Sequence, residues 1–355
     1  MIVQFNPALF QSADEPVMKG ILKLLELFIE DRFLIDFMGS GLVSVFYDAQ
    51  GQYIFKNSKL ANYLLPNESR LLEDKIDALI GGGSKLSLLF KSSFVTVKIG
   101  LGAEELHPQD VARIISERSL IIIENYPNDW KFITGIIDKY KSFGKRKEIY
   151  SLIKKSMDKQ WLYYNHAGGS GMMSQLEGWV EGVYKDFYKH KVMLMFDSDK
   201  KHPTDFKDEY KNLFEYLKQR EISLPPNTND LKHEPNDLVV WHMLYKRAIE
   251  NYVPISVIKK GLTQLSAQQK DNLEQLAATP DDMDFVVYYA PEGLGRMHYI
   301  SFGKKKAKEI FPQMFVADFL PDELEARCEH HKVTLLNGEV VSEIEQILLK
   351  IAKII

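Results

Sequence analysis

Hydrophobic positions change rhythm along the chain. Within residues 1–38, Leu22, Leu24, Leu25, Leu27, Phe28 and Ile29 are interspersed with Lys23, Glu26, Glu30 and Asp31, a spacing that predicts an amphipathic helix. Short apolar stretches follow at 41–47, 52–55, 85–90 and 94–99. Turn formers separate them, with Asp48-Ala-Gln-Gly51 and Gly81-Gly-Gly-Ser84 the clearest. Hairpins and helices in this arrangement predict a small α+β domain over residues 1–105.

After a helix predicted at His107 to Glu117, the pattern becomes strand, polar turn, helix. Ser119 to Ile123 is an apolar run ending at Glu124, and Trp130 to Tyr140 places Phe132, Ile133, Ile136 and Ile137 on one helical face. Trp161 to Asn165 predicts a second strand, running into the glycine-rich turn His166-Ala-Gly-Gly-Ser-Gly171. Val192 to Phe196 is a third, closed by Asp197 and Asp199, with a helix near Phe206 to Arg220. Leu238 to Leu244 is a fourth, leading through Lys246 and Arg247 to Glu250-Asn-Tyr-Val-Pro254. Unbroken apolar runs closed by polar turns mark strands buried on both faces of a parallel sheet. The expected fold class is therefore α/β, with a mostly parallel sheet and flanking helices over residues 118–260. Residues 261–355 read as a mixed, mostly helical region, with helices at Ser266–Leu276 and Ser342–Ile354.

Composition narrows the picture. A chain of 355 residues is long enough for more than one domain. The formal net charge of -4 argues against wholesale electrostatic binding of nucleic acid and leaves room for a local basic groove. Two segments are basic: Lys141 to Lys155, and Lys304, Lys305, Lys306 and Lys308. Each fits a solvated face or a contact strip for a phosphate backbone. A single cysteine, Cys328, rules out an internal disulfide and fits a reducing compartment. There is no signal-peptide pattern and no apolar run of the ~20 residues that span a bilayer, so the expectation is a cytoplasmic protein without a membrane partner.

Candidate chemistry gathers at the strand ends, where open α/β sheets collect ligands. Asp197 and Asp199, one residue apart on a turn, can both reach a hard cation. Aspartate also favours turns for its own reasons, so the pair alone fits either reading. The glycine-rich turn can cradle phosphate on backbone N–H groups. It lacks the spacing of a Walker A motif or of G-x-G-x-x-G, and a tight strand-to-helix turn explains it equally well.

The order of these motifs resembles the Toprim domain, the metal-binding fold of topoisomerases, DnaG-type primases and OLD-family nucleases. Glu124-Asn-Tyr-Pro-Asn-Asp129-Trp-Lys-Phe132 resembles the first motif of the nuclease branch, with the second acid one residue further along. His242 to Pro254 resembles the strand-plus-Glu-Asn-Tyr segment of Toprim-like effectors of bacterial anti-phage defence systems. The resemblance covers residues 118–260. It implies a metal-dependent nuclease acting on DNA or RNA, the toxic effector of a defence system, beside a separate ATPase sensor protein and with oligomerisation open. Glu124, Asp197 and Asp199 would hold Mg²⁺ or Mn²⁺, and Asp129 and Glu250 would complete a second site or activate water. Lys246 and Arg247 would neutralise phosphate charge, and His166, Gly168 and Gly169 would contact phosphate. Tyr126, Trp130, Trp241 and Tyr252 either stack on unpaired bases or are core.

Three rivals stay open. A non-catalytic Toprim-like module would bind nucleic acid or a partner. A haloacid-dehalogenase-like phosphatase shares the Asp-x-Asp and could use Asp281-Asp-Met-Asp284, but Lys201 stands where its motif has Thr or Val. A metal-dependent glycosyltransferase also carries Asp-x-Asp, and nothing in the chain suggests sugar-nucleotide recognition.

Overall fold

A computed structural model describes residues 1–81, 95–168, 171–225, 227–301, 303–316, 319–335 and 338–355. The stretch expected at 85–90, most of the Gly81–Ser84 turn, and Gly169 lie outside the described residues. The chain forms two compact units: Met1–Ser119 with 156–162 and 352–355, and Leu120–Lys155 with 163–351.

In the first unit, β1 (Ile2–Phe5) lies between β2 (Leu34–Ile35) and β3 (Thr96–Ile99), all parallel, with Val3 opposite both Ile35 and Val97. The helix Glu15–Ile29 is capped by Asp14, whose carboxylate accepts from the Val17 N–H at 3.2 Å. It buries Val17, Ile21, Leu24, Leu25 and Phe28 and packs on the helix Pro108–Ser116. The two helices approach so closely at Gly20 that a Cβ there would meet Pro108 Cβ at 2.7 Å. Arg32 lies 4.4 Å over the Trp161 ring and donates to the carbonyls of Ile115, Ser116 and Glu117, closing the end of the second helix.

Among the described residues of this unit, the expected hairpins do not form. The stretch 41–47 contains a helical turn, Val43–Phe46, and Tyr47 meets Tyr53 only in an isolated antiparallel bridge. Packing overrides the strand pattern. Phe46 enters an aromatic cluster with Phe10, Phe37 and Phe55 at ring separations of 5.7, 5.8 and 4.8 Å, and burying those rings outweighs a marginal strand propensity.

The second unit carries a four-stranded sheet in the order β5-β4-β6-β7. The strands are β4 (Ser119–Ile123), β5 (Leu162–His166), β6 (Val192–Phe196) and β7 (Val240–Met243). β6 runs parallel to both β4 and β7, and every residue of these three strands is buried. The fold is thus α/β, built on parallel sheets with flanking helices. Asn128–Tyr140 buries Phe132, Ile133, Ile136 and Ile137, and Glu209–Lys218 buries Tyr210, Leu213, Phe214 and Leu217. Residues 261–351 belong to the same compact unit as these strands.

Two buried polar networks tie that later region to β7. His242 hydrogen-bonds Glu343 Oε1 through Nε2 at 3.0 Å, and Lys350 Nζ contacts its Nδ1 at 2.9 Å. Lys246, Arg327 and His331 converge on Asp284. The basic segment 141–155 is largely matched by acids. Arg146 is buried against Glu339 and Glu345, Lys145 pairs with Glu339, and Lys141 and Lys154 pair with Asp138. It is a charge-paired face rather than a phosphate strip. Among the described residues, no helix is long and apolar enough to cross a membrane.

Candidate active site

The strand order places a topological switch point between β4 and β6, because the chain leaves β4 for β5 on one side and returns to β6 on the other. Ligands in open parallel sheets bind outside the carboxyl ends of the strands at such a point. Glu124 follows β4 directly and Asp197 follows β6 directly. The register pairs Ile123 with Met195, so both acids emerge from the same sheet edge.

The Asp197–Asp199 turn is held from beneath. Ser198 Oγ donates to the Lys246 carbonyl at 2.8 Å, and the Asp199 N–H donates to the Arg247 carbonyl at 2.9 Å. Arg247 Nη1 donates back to the carbonyls of Asp199 and Lys200 at 2.9 and 3.0 Å. Asp199 has a φ of 53°, a left-handed conformation that Asp tolerates better than most residues and that recurs at functional sites. Glu250 is brought in by the turn Ile249–Tyr252, which Asn251 secures by accepting from the Ala248 N–H and donating to the Met283 and Val286 carbonyls.

Asp129, Asp197, Asp199 and Glu250 line one cleft of about 50 Å³, together with Arg247 and Lys308. That is room for a few waters or an ion, not for a nucleotide. Glu124 borders a separate, more open hollow of about 440 Å³, lined by Met172, Met173, Lys207 and Tyr210.

The electrostatics are those of an under-neutralised acidic cluster. Burial, then the Asp199 charge, push the Glu124 carboxyl up to about 7. Burial pushes Asp129 up to about 7 as well, against the N–H bonds of Asn125 and Glu124 that favour its ionised form. Asp197 is raised well above the carboxylate range by burial and then by Asp129, Glu124, Glu250 and Asp199, and burial raises Glu250. Buried like charges disfavour one another's ionisation, so a cation would be stabilising here. Glu124 Oε2 is buried with no hydrogen-bond partner. Asp199 is engaged by Lys207. Among the described residues, no three His, Cys, Asp or Glu side chains are arranged to hold one ion together.

The expected site residues divide accordingly. Glu124, Asp129, Asp197, Asp199 and Glu250 come together. Lys246 does not reach them: it is fully buried, with its ammonium 2.5 Å from Asp284. The short step from strand end to Lys246 turns the side chain into the core. Arg247 lines the cleft, but its guanidinium is engaged by the backbone of the turn. Of the acids in Asp281-Asp-Met-Asp284, Asp284 is engaged by Lys246, Arg327 and His331. His166 is exposed at the end of β5, outside the cleft lining, and Gly168 adopts a φ of 66° in its turn. Trp241 and Tyr252 are core residues.

Lys308 was missed as a site residue because its neighbours disguise it. Lys304, Lys305 and Lys306 are exposed as a solvated face should be, while Lys308 turns into the cleft, where its charge favours ionisation of Glu124 and Glu250. A run of lysines carries no periodicity that would single Lys308 out.

The raised carboxyls predict a pH dependence. Glu124 and Asp129 bind more protons in the folded chain than in the unfolded one between the unfolded pKa near 4 and about 7, so their stabilising contribution is lost as pH rises through that window. His242, which burial and then Lys350 lower to about 4, acts with the opposite sign up to its unfolded pKa near 6.5. The clean measurement is therefore a difference. Without divalent cation, Asp129→Asn is expected to gain stability over the parent as pH rises from about 4.5 to 7.5, measured by urea unfolding. A pH-independent difference would show that the Asp129 carboxyl is not raised.

Comparison with protein-family models, with curated proteins and with solved structures finds no match to this chain.

Proposed function

We propose that this protein is a Toprim-like, metal-dependent nuclease that hydrolyses phosphodiester bonds of DNA or RNA. The observation that carries the proposal is the cluster at the switch point: mutually raised carboxyls around a buried, unpartnered Glu124 oxygen. An acid kept only for packing would be expected to find donors for both oxygens, as Asp284 does. Carboxylate oxygens suit a hard cation, and Glu124, Asp197 and Asp199 would hold it only by closing in from the positions they take here, where no three acids are arranged around one point among the described residues. Mg²⁺ or Mn²⁺ bound there supplies a Lewis acid for the phosphate and lowers the pKa of water. Glu250, partly exposed in the cleft and raised above its ordinary pKa, is placed to accept the proton of an attacking water. Asp129 is buried and engaged by the Asn125 N–H at 2.8 Å, so it positions the turn. Lys308 is the side-chain cation available to offset phosphate charge. The resemblance to defence effectors extends the proposal to a toxic effector working beside a separate ATPase.

A second reading, a non-catalytic binding module, draws on the Lys207–Asp199 pair, which fills the acid turn with a resident cation. One assay separates the two. Purified protein is expected to cleave labelled DNA or RNA with Mg²⁺ or Mn²⁺, to stop in EDTA, and to lose cleavage in Glu124→Gln. Binding without cleavage under every metal condition would favour the module.

A further inference from the structure

Four aromatic side chains of the second unit form a cluster that the fold does not bury. Tyr126, on the turn between Glu124 and Asp129, lies parallel to Tyr164 of β5, with ring centroids 4.5 Å apart and planes 9° from parallel. Tyr163 continues the stack at 4.7 Å and 24°, and Trp130 leans on Tyr164 at 5.0 Å. Tyr126 is 49% and Tyr163 41% exposed.

The first unit's core combines edge-to-face contacts, Phe5–Phe10, Phe10–Phe46 and Phe37–Phe46 at 64°, 72° and 76°, with a parallel pair, Phe46–Tyr53 at 21°, but there the rings are buried. A tyrosine stack in which Tyr126 and Tyr163 stay exposed presents a flat π-face with hydroxyls on its rim. Planar bases stack on such faces with little regard to sequence. Tyr126 follows β4 two residues after Glu124, while Tyr163 and Tyr164 are the second and third residues of β5.

We propose that Tyr126, Tyr163, Tyr164 and Trp130 form a stacking platform for unpaired bases of a single-stranded nucleic acid whose backbone passes the carboxylates. It rests on the nucleic-acid reading above and specifies its substrate: an unpaired segment rather than a continuous duplex, in which the bases are already stacked on each other.

The test is binding in EDTA, where no cleavage intervenes, by fluorescence anisotropy with labelled oligothymidylate, oligouridylate and a hairpin-free duplex. The single strands are expected to bind more tightly than the duplex. Tyr126→Leu and Tyr163→Leu should each weaken single-strand binding about tenfold, the loss of one base stack, and Tyr126→Trp should restore it. The thymidylate and uridylate arms distinguish DNA from RNA. Leucine variants that fold, by circular dichroism, and bind as the parent does would overturn the proposal, as would parent protein that prefers duplex or binds no oligonucleotide. Asp197→Asn separates this from the nuclease reading. Stack-dependent binding by a parent that cleaves nothing would sink the nuclease and leave the platform. Metal-dependent cleavage indifferent to the tyrosines would do the reverse.

Discussion

Asp197→Asn is expected to make the metal-free protein more stable while removing metal-dependent cleavage. Asp197 leaves β6 into a site where burial and the charges of Asp129, Glu124, Glu250 and Asp199 all oppose its ionisation. Asparagine keeps the shape and removes the charge. The local backbone does not depend on the carboxylate, since the Asp197 carbonyl accepts from Tyr210 OH at 3.1 Å and β6 is held by β4 and β7. Relief of such frustration is worth about 1 kcal/mol, a midpoint shift of about 2–4 °C for a unit of this size. The parent should regain more than this when Mg²⁺ is added, since a ligand at a hundred times its Kd contributes about 2.7 kcal/mol. The variant should not respond, and its cleavage rate should fall by at least about a hundredfold. Differential scanning fluorimetry in EDTA and in Mg²⁺, beside the cleavage assay, checks both halves. An Asp197→Asn protein that melts below the parent in EDTA would mean that the carboxylate has a structural partner, and the acidic cluster would lose its reading as a cation site.

How much of this was legible in the sequence follows from the physics of each signal. The second unit's strands could be read because they are buried on both faces: Ser119–Ile123 and Val192–Phe196 are continuous apolar runs that only a parallel sheet or a core helix accommodates. Their polar terminators, Glu124 and Asp197, therefore came with the strands, and parallel strands necessarily bring those ends to one edge. The first unit was less legible. Its central strand, Ile2–Phe5, is four residues long, and Val43–Phe46 has the composition of a strand but is drawn into a helical turn by the ring of Phe46. Side-chain direction was the least readable level. Lys246 and Arg247 are neighbours with the same charge, yet one is core and the other lines the cleft. Nothing in the local spacing indicates that Asp284, far along the chain, would claim Lys246.

That claim sets up the largest stability effect expected in the molecule. Asp284→Ala should cost about 3–5 kcal/mol, a large part of the 5–15 kcal/mol that holds a domain together. The Asp284 carboxylate is only 2% exposed and accepts from Lys246 Nζ at 2.5 Å, Arg327 Nη2 at 2.7 Å and His331 Nε2 at 2.8 Å. Burial alone would raise its pKa. The His331 hydrogen bond with the Lys246 and Arg327 charges outweighs that and holds it at about 2. Its contribution is thus complete above the unfolded aspartate pKa near 4 and disappears as pH falls through about 2. Alanine leaves the Lys246 ammonium with 0% side-chain exposure and no counter-charge, whereas Arg327 and His331, at 12% and 14%, are nearer to water. Most of the cost is therefore assigned to stranded Lys246, which a double-mutant cycle can test. Lys246→Met in the Asp284→Ala background should recover much of the loss, because an apolar side chain of similar length needs no partner. Urea unfolding of the four proteins measures the coupling. If the two single losses simply add, Arg327 and His331 hold the carboxylate without help from Lys246, and the buried lysine must be stabilised by its 5.4 Å approach to the Tyr252 ring instead.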